Sequence, residues 1–165
     1  MISCLLLACV AALFASAAPA SASSTQTTYF EAPRDLRDPA KIDKAFARMD
    51  TLGVKAVRQV LLWKDVAPDA DSAEKPDFDT TDPTQYNWSV YDPIVTKVKQ
   101  RGWKLLLTVS GPVPKWATES RTDQVTRPKP AEFTQFMTAV ARHYGSLVDT
   151  WSIAKDPMLL KWNGQ

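Results

Sequence analysis

The run VKAVRQVLLW, residues 54–63, decides the fold. It is β-branched and apolar almost throughout, the composition of a strand covered on both faces, and one cation, Arg58, interrupts it. A buried guanidinium without an anion costs several kcal/mol, so Arg58 is expected to meet a carboxylate or several carbonyls. Trp63 stands where the strand exits.

The chain repeats this unit on either side. Before it, Asp38 and Pro39 form a helix start, the acid as cap and proline in the first turn. Ile42, Ala45, Phe46, Met49 and Leu52 then recur at helical spacing up to Gly53, a usual stop. TTYFEAP, residues 27–33, reads as a short strand ahead of that helix. After it, residues 88–101 carry Val90, Ile94, Val95 and Val98 on one helical face and close at Gly102. KLLLTVSG, residues 104–111, is the next buried strand. A third helix over 131–144 carries Phe133, Phe136, Met137, Val140 and Tyr144, and LVDTWSI, residues 147–153, follows as a fourth strand. Strands alternating with helices in this way predict an α/β fold with a parallel sheet.

The connections are asymmetric. Helix-to-strand links at Gly53, Gly102 and Gly145 are short, whereas residues 64–87 and 112–130 are long, aperiodic and rich in Pro, Asp and Thr. Both long loops follow strands, and the carboxyl ends of strands are where α/β barrels and open α/β sheets build their sites.

Composition narrows the function. Twenty basic and 18 acidic residues, well mixed, leave a formal charge of +2, which lacks the basic footprint of a nucleic-acid binder. The leader, residues 1–22, has no charged side chain, an apolar run over 5–14 and small residues at Ala18, Ala20 and Ala22; it reads as a cleaved signal peptide and predicts a secreted, extracellular protein. About 143 of the 165 residues remain, enough for one hydrophobic core. Both cysteines, Cys4 and Cys9, fall in the leader, so disulfides, a thiol nucleophile and a zinc-thiolate site are not expected. No dinucleotide or phosphate-loop fingerprint, GxSxG elbow or calcium-loop spacing is present, so no cofactor or metal is expected. His143, the only histidine, sits in the last turn of a helix and is expected to stabilise that end.

GVKAVRQVLLWKDVAP (53–68), YNWSVYDPIV (86–95), RGWKLLLTVSGPVPKWA (101–117) and WSI (151–153) together resemble, in order, the amino-terminal half of secreted clan A glycoside hydrolases, the cellulase-like and β-xylosidase-like (β/α)8 TIM barrels. The resemblance implies a partial TIM barrel of about four βα units over residues 23–165, and an oligosaccharide or polysaccharide substrate. It also implies retaining hydrolysis by two glutamates about 5–5.5 Å apart, one at the end of strand four and one at the end of strand seven.

The family's strand-four signature is WNEP. Aligned on Trp151, Ser152, Ile153 and Pro157, this chain has Ala154, Lys155 and Asp156 where the family has Trp, Asn and Glu. Asp156 matches the acid/base position with a side chain shorter by about 1.5 Å, and a misplacement near 1 Å already costs on the order of a hundredfold. Lys155, at the sugar-binding position, cannot accept a hydrogen bond and would depress the pKa of a neighbouring acid, opposite to what a general acid needs. Residues 158–165 do not resemble the family's continuation, and strands five to eight are not in the sequence. The expectation is a truncated or frame-shifted product with little or no activity. Arg58 matches the strand-two arginine that the family sets near its nucleophile; Trp63 and Trp116 stand where family members stack sugar rings. Loop anchoring is the other reading for those two indoles, and core packing the expectation for Trp88, Trp103 and Trp151. The alternative function is a non-catalytic, carbohydrate-binding half barrel that forms a homodimer through its exposed sheet edges.

Overall fold

A computed structural model describes residues 26–153. The expected signal peptide over 1–22 and the expected site residues Lys155 and Asp156 lie outside the described residues. No helix among the described residues is long and apolar enough to cross a membrane.

The order is helix α1 (Pro33–Leu36), helix α2 (Ile42–Thr51), strand β1 (Ala56–Leu62), helix α3 (Trp63–Val66), helix α4 (Asp92–Gln100), strand β2 (Lys104–Ser110), helix α5 (Pro130–Tyr144) and strand β3 (Thr150–Ile153). Short 3-10 turns at Pro83–Gln85 and Lys115–Ala117 punctuate the long loops. The strands form one open parallel sheet in the order β1-β2-β3, so the molecule is α/β as the alternation predicts.

Four strands were expected and three are present among the described residues. The first is reduced to a parallel bridge between Phe30 and Val57, in which the Phe30 N–H donates to Ala56 O and the Arg58 N–H to Phe30 O, both at 2.9 Å. Pro33 opens α1 only three residues later, which turns the chain away before a ladder can extend. Two of the three predicted helix starts move inward. The Asp38 carboxylate accepts the Ala40 N–H at 3.0 Å and its carbonyl the Lys41 and Ile42 N–H groups at 2.9 Å, so Asp38 caps a turn as expected, and the regular helix α2 begins one turn later at Ile42. Trp88 ties its indole N–H to Pro83 O at 2.8 Å and heads a turn, so α4 begins at Asp92. Gly53 and Gly102 end α2 and α4 with φ of +72° and +65°, the left-handed conformation that glycine adopts at least cost.

Alternation along the strands sorts their side chains into two faces. Val57, Leu61, Leu105, Leu107 and Val109 join Phe46 and Met49 of α2, Ile94, Val95 and Val98 of α4, and Phe136 and Val140 of α5 in one buried core. Arg58, Val60, Leu62, Leu106, Thr108 and Ser110 point to the other face. β3 was expected to be buried, and it is not. Trp151 and Ile153 lie beside Leu107 and Val109 on the core side, yet are 37% and 60% exposed, because no described helix covers that end of the sheet. Trp151 is therefore a correction to the core reading, whereas Trp88 and Trp103 are buried as expected.

Candidate functional site

Arg58 gathers the polar face. The parallel register sets it beside Leu106, with Thr108 two residues along β2, and its Nε donates to Thr108 Oγ1 at 3.0 Å. The bridge at Phe30 puts Glu31 on the same face, and the Arg58 Nη1 approaches Glu31 Oε2 at 3.6 Å. The carboxylate that an arginine in an apolar strand requires is thus Glu31. Tyr29, two residues before it, places its hydroxyl 3.3 Å from Thr150 Oγ1 on β3. Three strand spacings on a flat sheet amount to about 14 Å, so the contact needs a sheet curved toward this face.

A second polar group closes the carboxyl end of β1. The Tyr91 hydroxyl accepts the Leu62 N–H at 3.1 Å and donates to Asp65 Oδ2 at 3.0 Å, while Arg37 Nη1 donates to the same oxygen at 2.9 Å. Burial, helped by the Asp65 charge, pushes the Tyr91 phenol up to about 12, so it stays a donor across the ordinary pH range. Between the two groups lies an open pocket of about 270 Å3, lined by Glu31, Pro33, Arg34, Arg37, Val60 and Leu62. A larger groove of about 420 Å3 along α2, lined by residues such as Lys41, Lys44 and Arg48, shares none of these side chains. The smaller pocket is the candidate site, because it lies on the face and at the strand ends where the polar groups converge.

No family model and no curated protein matches this chain.

The two indoles expected at a sugar are elsewhere. Trp63 follows Val57, Gln59 and Leu61 on the core side of β1, five residues from Arg58, so the two point to opposite faces. It is 0% exposed, stacked on Phe136 at 4.8 Å and met edge-on by Trp116 at 5.7 Å. Trp116 is 1% exposed; its indole N–H donates to Pro68 O at 3.2 Å, and Phe78 and the Lys75 ammonium lie against its ring. Together they fasten the two long loops to α5, which is the anchoring role, and neither offers a face to a ligand. His143 stacks on Trp88 at 4.6 Å and sits 2.9 Å from Asp92, joining the end of α5 to the start of α4.

Of the expected site residues, only Arg58 lies at the pocket's side among the described residues. Glu31, Arg34, Arg37, Asp65 and Tyr91 were not anticipated. Glu31 alone had a usable signal: in Tyr29-Phe30-Glu31 an apolar residue sits between two polar ones, the alternation of a strand with one face on the core.

Proposed function

We propose that this chain is a secreted relative of the retaining clan A glycoside hydrolases, that its parallel sheet is part of such a barrel, and that its polar sheet face receives a β-linked glycan. The observation that carries the reading is the convergence of Arg58, Glu31 and Thr108 on the core-free face of a curved parallel sheet, next to a pocket at the carboxyl end of β1. Hydrogen-bonding groups around apolar side chains are what a sugar ring needs, since its hydroxyls lie at the rim and its C–H faces are apolar. Hydrolysis is expected at background level, because Lys155 and Asp156 stand where the family uses Asn and Glu.

The full chain, secreted from an expression host, should bind β-linked oligosaccharides in calorimetric titration and release no measurable nitrophenol from aryl β-glycosides. Failure to bind any β-glycan overturns the reading; glycoside turnover abolished by Asp156→Ala overturns the inactivity.

The exposed Trp151 and Ile153 on the edge strand β3 favour one variation, a binding half barrel that pairs with a second copy through its sheet edges. Sedimentation equilibrium that fits a dimer supports it, and a monomer at all concentrations excludes it.

A further inference from the structure

Charge around the candidate pocket does not balance. Glu31 faces Arg58, and Asp65 faces Arg37. The third guanidinium, Arg34, has no ion pair among the described residues. It lines the same pocket as Arg37, which follows the single turn of α1, because residues three apart in a helical turn share a side. Among the described residues the site therefore carries one positive charge at its rim that no ion pair meets.

The floor is of a different kind. Val60 and Leu62 follow Arg58 on one face of β1, about 7 Å apart, and give the pocket an apolar base. At about 270 Å3 it is smaller than the sites that take drug-sized ligands, roughly 300–1,000 Å3, and holds about one sugar ring. A ligand that satisfies both features has an apolar ring face and a single anionic substituent at its edge. A planar guanidinium pairs with a carboxylate through two parallel hydrogen bonds, a geometry that a lysine at the same place would not offer.

We infer that this pocket takes an acidic sugar unit, a uronic acid within a glycan, with Arg34 holding its carboxylate and Val60 and Leu62 beneath its ring. The inference rests on the glycan reading above and narrows it to acidic substrates.

The probe is a β-linked oligosaccharide carrying one uronic acid, titrated calorimetrically into the full chain beside its methyl ester, which has the same shape without the charge. The acid should bind about tenfold more tightly than the ester, and the preference should shrink between 50 and 300 mM salt, because the pocket is open to solvent. Arg34→Gln should bring the acid down to the ester's affinity and leave the ester unchanged. Lys44→Gln, in the separate groove along α2, should retain the preference. Arg34 is exposed and has no ion pair among the described residues, and circular dichroism should show both variants folded. Equal binding of acid and ester, or an acid preference that survives Arg34→Gln, overturns the inference and leaves the glycan reading standing. Binding of neither probe removes both.

Discussion

Gln59 is the polar side chain on the core side of β1, buried among Val57, Leu61 and Trp63. Its amide donates to Val60 O at 2.8 Å, but its Oε1 is buried and has no hydrogen-bond partner among the described residues. An unmet buried acceptor costs about 1–3 kcal/mol. Gln59→Leu, close in volume and without the stranded oxygen, should therefore raise unfolding free energy by about 1 kcal/mol in urea denaturation; a loss of stability would mean that the oxygen has a partner in solution. The residue scale is also where the sequence was most readable and most misleading. Arg58 inside an apolar run announces a carboxylate partner, and Glu31 supplies it. Trp63 at the strand's exit suggests a binding platform, yet the two-residue period of the strand already sets it on the face opposite Arg58. The parity was present in the letters; the resemblance to sugar-stacking indoles concealed it. Arg34 and Arg37 carried no comparable signal, because only the turn of α1 brings them to β1.

Among the elements, β3 depends on one carboxylate. The Asp149 N–H donates to Leu105 O at 3.0 Å, while Asp149 Oδ2 accepts the Leu105 N–H at 2.7 Å and lies 2.9 Å from the Lys99 ammonium of α4. The Leu105 N–H first, then Lys99, holds its pKa below the usual carboxylate value. A lowered folded-state pKa gives stability that is present above the ordinary value, near 3.8, and lost as pH falls through the lowered one. Asp149→Asn keeps an acceptor for the N–H and removes the charge, so it should cost about 0.5–1 kcal/mol at neutral pH. In urea denaturation at a series of pH values, that gap should hold down to about pH 4 and close below it; a gap independent of pH would show that the charge plays no part. Periodicity predicted all three long helices and the strands β1 and β2, because each repeats a core-facing pattern over several turns or pleats. It overestimated the first strand, which meets the core only through the partly buried Phe30 and Ala32. It was silent on the long loops, whose aromatic side chains enter the core at irregular intervals: Phe78 meets Tyr86 and Trp116, and Tyr86 meets Phe136.

For the molecule as a whole, three buried phenols act as cross-braces between its parts. Tyr86 donates to Thr80 O at 2.8 Å and fixes the first long loop on the aromatic core. Tyr91 joins the end of β1 to Asp65. Tyr144 donates to Asp92 Oδ1 at 2.7 Å and links the end of α5 to the start of α4. Burial is the main cause that raises the pKa of each; Glu132 and Asp79 add to it for Tyr86, and the hydrogen bond to Asp92 for Tyr144. An ionised phenolate at any of these positions would be desolvated and would face an oxygen it can no longer donate to. A raised folded-state pKa means that the contribution is complete below the ordinary phenol value, near 10, and is lost as pH rises from there toward the folded value, about 12 for Tyr91. Because the three braces tie the start of α4 to β1 and to α5 and hold the long loop against α5, losing them should open the fold as one cooperative event. Raising pH from 9 to 12 should therefore leave ellipticity at 222 nm flat until about pH 10 and then bring it down, with phenolate absorbance at 295 nm rising in the same step. Tyr91→Phe, which cannot ionise but leaves Asp65 and the Leu62 N–H without their shared partner, should begin from lower stability at neutral pH, by about 1–3 kcal/mol, and lose less of it over the alkaline range. Full ionisation of the phenols with ellipticity intact would show that the braces are exposed in solution and that the core is looser than their burial implies.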